Sequence, residues 1–208
     1  MIQKVLDAAE SLLTRRGIGS LTMDAVAAEG GVSKGGVMHH FKSKDALIEA
    51  LVARKLDLIR GGLARHRDEQ PSDSPRTLRG MALYGTEQYA EDQGFPRALL
   101  VAAVENPRAL DQFRELFAGT MAEVAAEADG RDLDTLLLFA VMGLLLTKSL
   151  GIGDLPTAKA QNAFGAIQRW AGCRSSVDTA AVSVTSDCEQ AWNCDSGATL
   201  VPSATNPE

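Results

Sequence analysis

Five side chains suited to holding anions, Lys34, His39, His40, Lys42 and Lys44, fall within eleven residues, with Asp45 the one acid close by. Ammonium and imidazole groups at that density can meet phosphate oxygens and base edges. The adjacent histidines would lie about 100° apart on a helix and have no Cys, Asp or Glu at ligand spacing, which weighs against a metal site. DNA contact is the stronger use for them, with a solvent-facing or core position as the alternative. No G-x-S-x-G, Cys/His pair or framework of paired carboxylates accompanies the cluster, so neither an enzyme nor a cofactor is expected.

The elements around the cluster are legible from periodicity and caps. Ile2, Val5, Leu6, Ala9, Leu12 and Leu13 form an apolar helical stripe that stops at Arg15-Arg16-Gly17, a cation-then-glycine C-terminus. Thr22 is placed to cap a second helix, with Leu21 before it and Val26 four residues after it as a hydrophobic staple. That helix should end at Gly30-Gly31. The pattern repeats with Val32, a capping Ser33 and Val37, predicting a third helix to about Phe41, with Val37 and Phe41 in a core. Ser43 would cap a fourth, with apolar positions Ala46, Leu47, Ala50, Leu51, Leu56 and Ile59 continuing toward Gly61-Gly62. Two short helices joined by about three residues and braced by a preceding helix make a helix-turn-helix, whose second short helix enters the major groove.

Composition sets the wider frame. The 208 residues are 45% apolar and only 5% aromatic, and Ala, Leu, Glu, Arg and Met dominate, favouring an all-α fold. Net charge is −6; residues 1–65 carry ten Lys/Arg against seven Asp/Glu, and the remainder eleven against twenty. A cationic head on an acidic body suits DNA reading. The opening MIQKVLDAAESLL lacks the unbroken apolar core of a secretory signal, and the apolar run Leu136 to Leu146 is short of the roughly 20 residues that span a bilayer. A cytoplasmic protein with no membrane partner is therefore expected. Cys173, Cys188 and Cys194 form no metal or disulfide pattern.

The segment VLDAAESLLTRRGIGSLTMDAVAA followed by GGVSKGGVMHHFKSKDALIEAL resembles the DNA-binding head of the TetR family over residues 4 to 56. The resemblance implies an N-terminal three-helix domain joined by a long helix to a helical ligand-binding and dimerisation domain. It implies that Ser33, Lys34 and Gly36 face DNA, that His39 and His40 approach backbone or bases, and that Thr22 and Lys44 contact phosphate. Lys44 would also sit at a helix N-terminus, where free N–H groups favour an anion. The family commonly has Leu-Tyr where this chain has Val37-Met38. The expected organisation is a head at 1–45, a body at 46–173 and a disordered Ser/Thr/Asp-rich tail at 174–208.

Helical patterns in the body fall at about 76–92, 96–105, 107–128, 133–150 and 157–172, with Gly151-Ile152-Gly153 as a helix terminator. Residues 136–146 are apolar on nearly every side, implying burial against the body and against a second chain. By resemblance this helix joins the one carrying Ala160, Ala163, Phe164, Ile167 and Trp170 in a four-helix interface of a homodimer. The resemblance also implies a pocket for a small apolar or amphipathic effector, with Met81, Tyr84, Gln88, Phe95, Phe113, Phe117 and Met121 as candidate lining; core packing is the alternative for each. The implied function is a ligand-responsive regulator, chiefly a repressor, on a pseudo-palindromic double-stranded operator. The alternative is a helical interaction protein whose head no longer binds DNA.

Overall fold

The computed structural model describes residues 1–72, 75–90, 97–127, 132–153 and 155–171, and all regular structure among them is helical. Helix α1, Ile2–Arg16, ends at Gly17, whose φ of 75° suits a residue without a side chain. A 3-10 turn, Ile18–Ser20, leads to α2, Met23–Gly30. The Thr22 hydroxyl accepts from the Ala25 N–H at 3.1 Å, while Leu21 and Val26 are both buried beside it. Gly31, left-handed at φ 58°, closes α2. The next helix, α3, Lys34–His40, opens in the same way, with Ser33 Oγ accepting from the Gly36 N–H at 3.0 Å. Ser43 accepts from the Ala46 N–H at 3.1 Å and opens α4, Lys44–Asp68. The expected head–body boundary at 45/46 therefore falls in the first turn of one continuous helix.

The body comprises α5, Arg76–Ala90, α6, Arg97–Glu105, α7, Pro107–Glu127, α8, Asp132–Leu150, and α9, Thr157–Trp170. Helix α4 runs through Gly61-Gly62, and at Gly62 the missing side chain makes room for a neighbour. A Cβ on Gly62 would lie 2.3 Å from the Tyr84 ring, and one on Gly80 would lie 2.7 Å from the backbone nitrogen of Arg67. These two glycines let α4 and α5 approach antiparallel. Asn106 caps α7, its Oδ1 accepting from the Ala109 N–H at 3.1 Å, while its amide donates to the Asp45 carbonyl at 3.3 Å. Leu99, Ala103 and Ala109 join the core formed by α1 to α4, so body helices brace the head. Gly151, at φ 66°, terminates α8, and the Ile152 N–H returns to the Thr147 carbonyl.

One reading of the body needs correction. Ala160, Phe164 and Ile167 are buried within their own chain, and a Cβ on Gly85 of α5 would lie 2.6 Å from the Phe164 ring. They belong to the body core and cannot form the surface of α9 that meets a second chain; Ala163 is half-buried and only Trp170 of the expected set is exposed. A periodic stripe identifies a buried face but not what buries it. Helix α8 divides its apolar surface: Leu137, Leu138 and Val141 enter the core, while Leu136 (66% exposed), Phe139 (53%), Met142 and Leu146 do not. By length and composition, α8 is the one helix among the described residues long and apolar enough to cross a membrane, since the helix extends well beyond the apolar run seen in the sequence. Residues 174–208 and all three cysteines lie outside the described residues.

Candidate nucleic-acid interface and body cavity

Helix α3 and the turn into α4 carry the cationic cluster at the surface of the head. Ser33, Lys34, His39, His40, Lys42 and Lys44 are all exposed, and so is Thr22 at the start of α2. Val37 and Phe41 are buried beneath them, with Met38 half-buried. The surface therefore rests on a packed floor. The rings of His39 and His40 meet edge to face at 5.1 Å between centroids. No group of three metal-ligating side chains occurs among the described residues.

Each cation is held in a way that bears on DNA approach. Lys34 Nζ lies 2.9 Å from Asp24 Oδ2, both side chains largely exposed, so the pair is cheap to break. Lys44 Nζ donates to the Ile18 carbonyl at 3.2 Å, which fixes it across the turn after α1. The hydroxyls of Thr22 and Ser33 accept from the helix N–H groups they cap, and each keeps one O–H to donate. A Cβ at Gly36 would lie 3.3 Å from Ser33 Oγ, so a side chain there would crowd that cap. Asp24 was not foreseen as part of this surface, because only the packing of α2 against α3 brings it to Lys34.

The head is tied to α4 by Arg54. Its guanidinium donates to Asp7 at 2.6 Å and also to Glu10, both on α1. Three residues further along α4 than Val52, on the stripe Ile48, Val52 and Ile59, stands Lys55. Burial drives its ammonium below the usual lysine range, with the Glu10 carboxylate opposing that effect and Arg54 adding to it.

Lys55 opens onto a cavity of about 200 Å³ bounded by α4, α5, α6, α7 and α8. Of the residues singled out from sequence, Met81, Tyr84, Gln88, Phe113 and Phe117 line it; Met121 instead packs half-buried against the body core. Phe95 lies outside the described residues. Met121 misses the cavity because it faces the α5–α8–α9 core, a distinction that bulk and flexibility do not encode. Sequence reading also missed Lys55, Ile59, Leu63, Thr120, Leu145 and Ser149. The available signal was Lys55 itself, a cation at an apolar position of a helical stripe.

Burial pushes the Tyr84 hydroxyl up to about 12, with the Glu87 carboxylate adding to the rise and Arg65 opposing it. The group therefore remains a donor through neutral pH. Beside it, His66 Nε2 lies 2.8 Å from Glu87, and Arg65 reaches the same carboxylate at 2.9 Å. The hydrogen bond from His66 holds the Glu87 carboxyl below its ordinary range, burial opposing and Arg65 assisting. An adjoining cavity of about 260 Å³ shares Leu63, Met81, Leu116 and Thr120 with the first. Its arginines are matched by acids, Arg60 with Asp57 at 2.8 Å and Arg67 with Glu123 at 3.1 Å.

Comparison with known proteins covers both halves of this architecture. Residues 5–51 match the profile of bacterial regulatory proteins of the tetR family, and residues 76–172 match a tetracyclin repressor-like C-terminal domain. The HTH-type transcriptional regulator BetI 2 of Chromohalobacter salexigens is 30% identical over 83 residues. That match takes in 40% of this chain and 40% of the relative, so the chain spans well under half of the curated relative's length. A TetR-family transcriptional regulator from Streptomyces coelicolor superposes with a TM-score of 0.64 at 23% identity, covering 81% of this chain and 94% of that one. The multidrug binding protein EbrR, solved with malachite green, gives 0.59 at 23% identity, covering 80% and 96%.

Proposed function

The chain belongs to the tetR family of bacterial regulatory proteins, and from that premise we propose that it is a ligand-responsive repressor that binds a pseudo-palindromic operator as a homodimer. Proteins of this family are transcriptional regulators rather than enzymes, and generally respond to ligands. The observation that carries the finer reading is the double role of α4. One turn of this helix holds α1 of the head through Arg54 and walls the body cavity through Lys55.

In this reading α3 enters the major groove with Ser33, Lys34 and Gly36 leading, and His39 and His40 reach backbone or base edges. Thr22 and Lys44 hold phosphates on either side. Lys34 exchanges Asp24 for the DNA, which costs little because that ion pair is solvent-exposed. The exposed residues Leu136 and Phe139 of α8, with Trp170 of α9, form the two-fold contact, next to Met142 and Leu146 at the cavity wall. Two heads then read half-sites separated by whole helical turns.

An apolar or amphipathic effector in the cavity regulates the head by preferring one position of α4 over another. Equal affinity for both positions would shift nothing. EbrR, a multidrug binding protein of similar fold solved with malachite green and with ethidium, supports small-molecule binding by this fold.

The test is binding of the purified chain to its own promoter fragment against scrambled DNA at about 0.15 M salt, with Lys44→Ala alongside. Selective binding that weakens in the variant supports the regulator. Absence of selectivity, also against a random-sequence library, moves the assignment to a helical interaction protein.

A further inference from the structure

The lysines that open α3 and α4 are held differently, and the difference bears on which DNA the head accepts. Lys44 leans on a neutral group, the Ile18 carbonyl at 3.2 Å, whereas Lys34 is neutralised by a carboxylate, Asp24 Oδ2 at 2.9 Å. Asp24 stands in the first turn of α2, two residues after Thr22. It is not needed there as a cap, because the Thr22 hydroxyl already takes the Ala25 N–H. The other acid of α2, Glu29, is bound by Arg15 and Ser11 of α1. Among the described residues, Lys34 is the one side chain that Asp24 engages.

Breaking so exposed a pair costs little, and what Asp24 meets afterwards is the larger effect. Phosphate oxygens only accept hydrogen bonds, and so does a carboxylate. Beside the DNA backbone an abandoned Asp24 therefore gains no bond and is repelled. In the major groove the duplex offers it one kind of partner, the exocyclic amino groups of cytosine and adenine, and cytosine N4 is the one from which acidic side chains accept.

We propose that Asp24 is a specificity-determining residue of the head. It keeps Lys34 from the phosphates of arbitrary sequences and releases it only where a half-site presents a cytosine amino group to take the carboxylate. This rests on the reading of α3 as the helix that enters the groove. On non-cognate DNA Lys34 stays paired and displaces no counterion. On the operator Lys34 reaches the DNA, and Asp24 exchanges one donor for another.

The test is fluorescence anisotropy of the full chain with a scrambled duplex and with an operator duplex obtained by selection from a random-sequence library. Parent, Asp24→Asn and Asp24→Asn combined with Lys34→Met are compared over a range of salt. Freeing one cation should steepen the salt slope on scrambled DNA by about 0.9 and tighten that binding roughly fivefold at about 0.15 M salt, the yield of one released counterion. Operator affinity should not rise with it, so the selectivity ratio falls by a similar factor. Adding Lys34→Met should cancel the gain. Selection with Asp24→Asn should replace a cytosine of the half-site by adenine, the base that asparagine pairs. An unchanged ratio, a loss of affinity for both duplexes as from a merely weakened α2, or retention of the parental consensus overturns the role of Asp24 while the head remains a DNA reader. A parent that selects no sequence overturns the regulator reading and this inference together.

Discussion

Replacing Gly80 with alanine should destabilise the body, although the same change one helix away at Gly61 should stabilise it. Both are interior helix positions, where alanine is favoured over glycine by about 1 kcal/mol. At Gly61 nothing lies within 4 Å of the added Cβ, so that gain is retained in large part. At Gly80 the Cβ would stand 2.7 Å from Arg67 N, 2.9 Å from its Cα and 3.2 Å from the His66 carbonyl carbon. These are backbone atoms of α4, which cannot rotate away, so α4 and α5 must part by several tenths of an ångström. Overpacking of this kind costs roughly 1–3 kcal/mol, and contact with backbone places Gly80→Ala toward the upper half of that range. After the helix gain, a net loss of about 1–2 kcal/mol remains. For a chain of this size each kcal/mol moves Tm by about 2–4 °C, giving a fall of roughly 2–8 °C for Gly80→Ala and a rise of up to about 4 °C for Gly61→Ala. Thermal unfolding of both variants at one protomer concentration, which excludes shifts from self-association, is the assay. A Gly80→Ala protein as stable as the parent would refute the close approach of α4 and α5 on which the register of the cavity depends.

Two further outcomes follow from the exposed face of α8 and from the Glu87 cluster. Leu136→Glu combined with Trp170→Glu should halve the mass measured by light scattering and abolish selective operator binding, while leaving helicity by circular dichroism unchanged, because both side chains are exposed in the single chain and neither lines the cavity. The hydrogen bond from His66 holds the Glu87 carboxyl below the ordinary glutamate range in the folded chain, so its contribution is present above that range and is lost as pH falls through the folded pKa. Stability of Glu87→Gln should therefore lie below the parent at pH 7 and converge with it as acidification passes below the ordinary glutamate range, as read from denaturant midpoints. A gap that stayed constant with pH would show that His66 and Arg65 do not stabilise the carboxylate.

What the amino-acid sequence determined by itself is the chain of local decisions in the head. Thr22, Ser33 and Ser43 each bond an N–H three residues on, and Leu21, Val26 and Val37 are apolar at the positions that flank those caps. Such interactions are complete within one helical turn, so spacing alone specifies them. The all-α fold and the family were legible for that reason. What only the tertiary structure decided is which side of each body helix meets which neighbour. The periodic face of α9 could have met a second chain or its own body, and Phe164 against Gly85 settles it for the body. Met121 and Phe117 look alike as candidate lining, yet only Phe117 reaches the cavity. Lys55 reads as one more cation on a long helix until five helices enclose it. Burial of a side chain in the body is a property of the surfaces that converge on it, and the sequence near the residue carries no record of them.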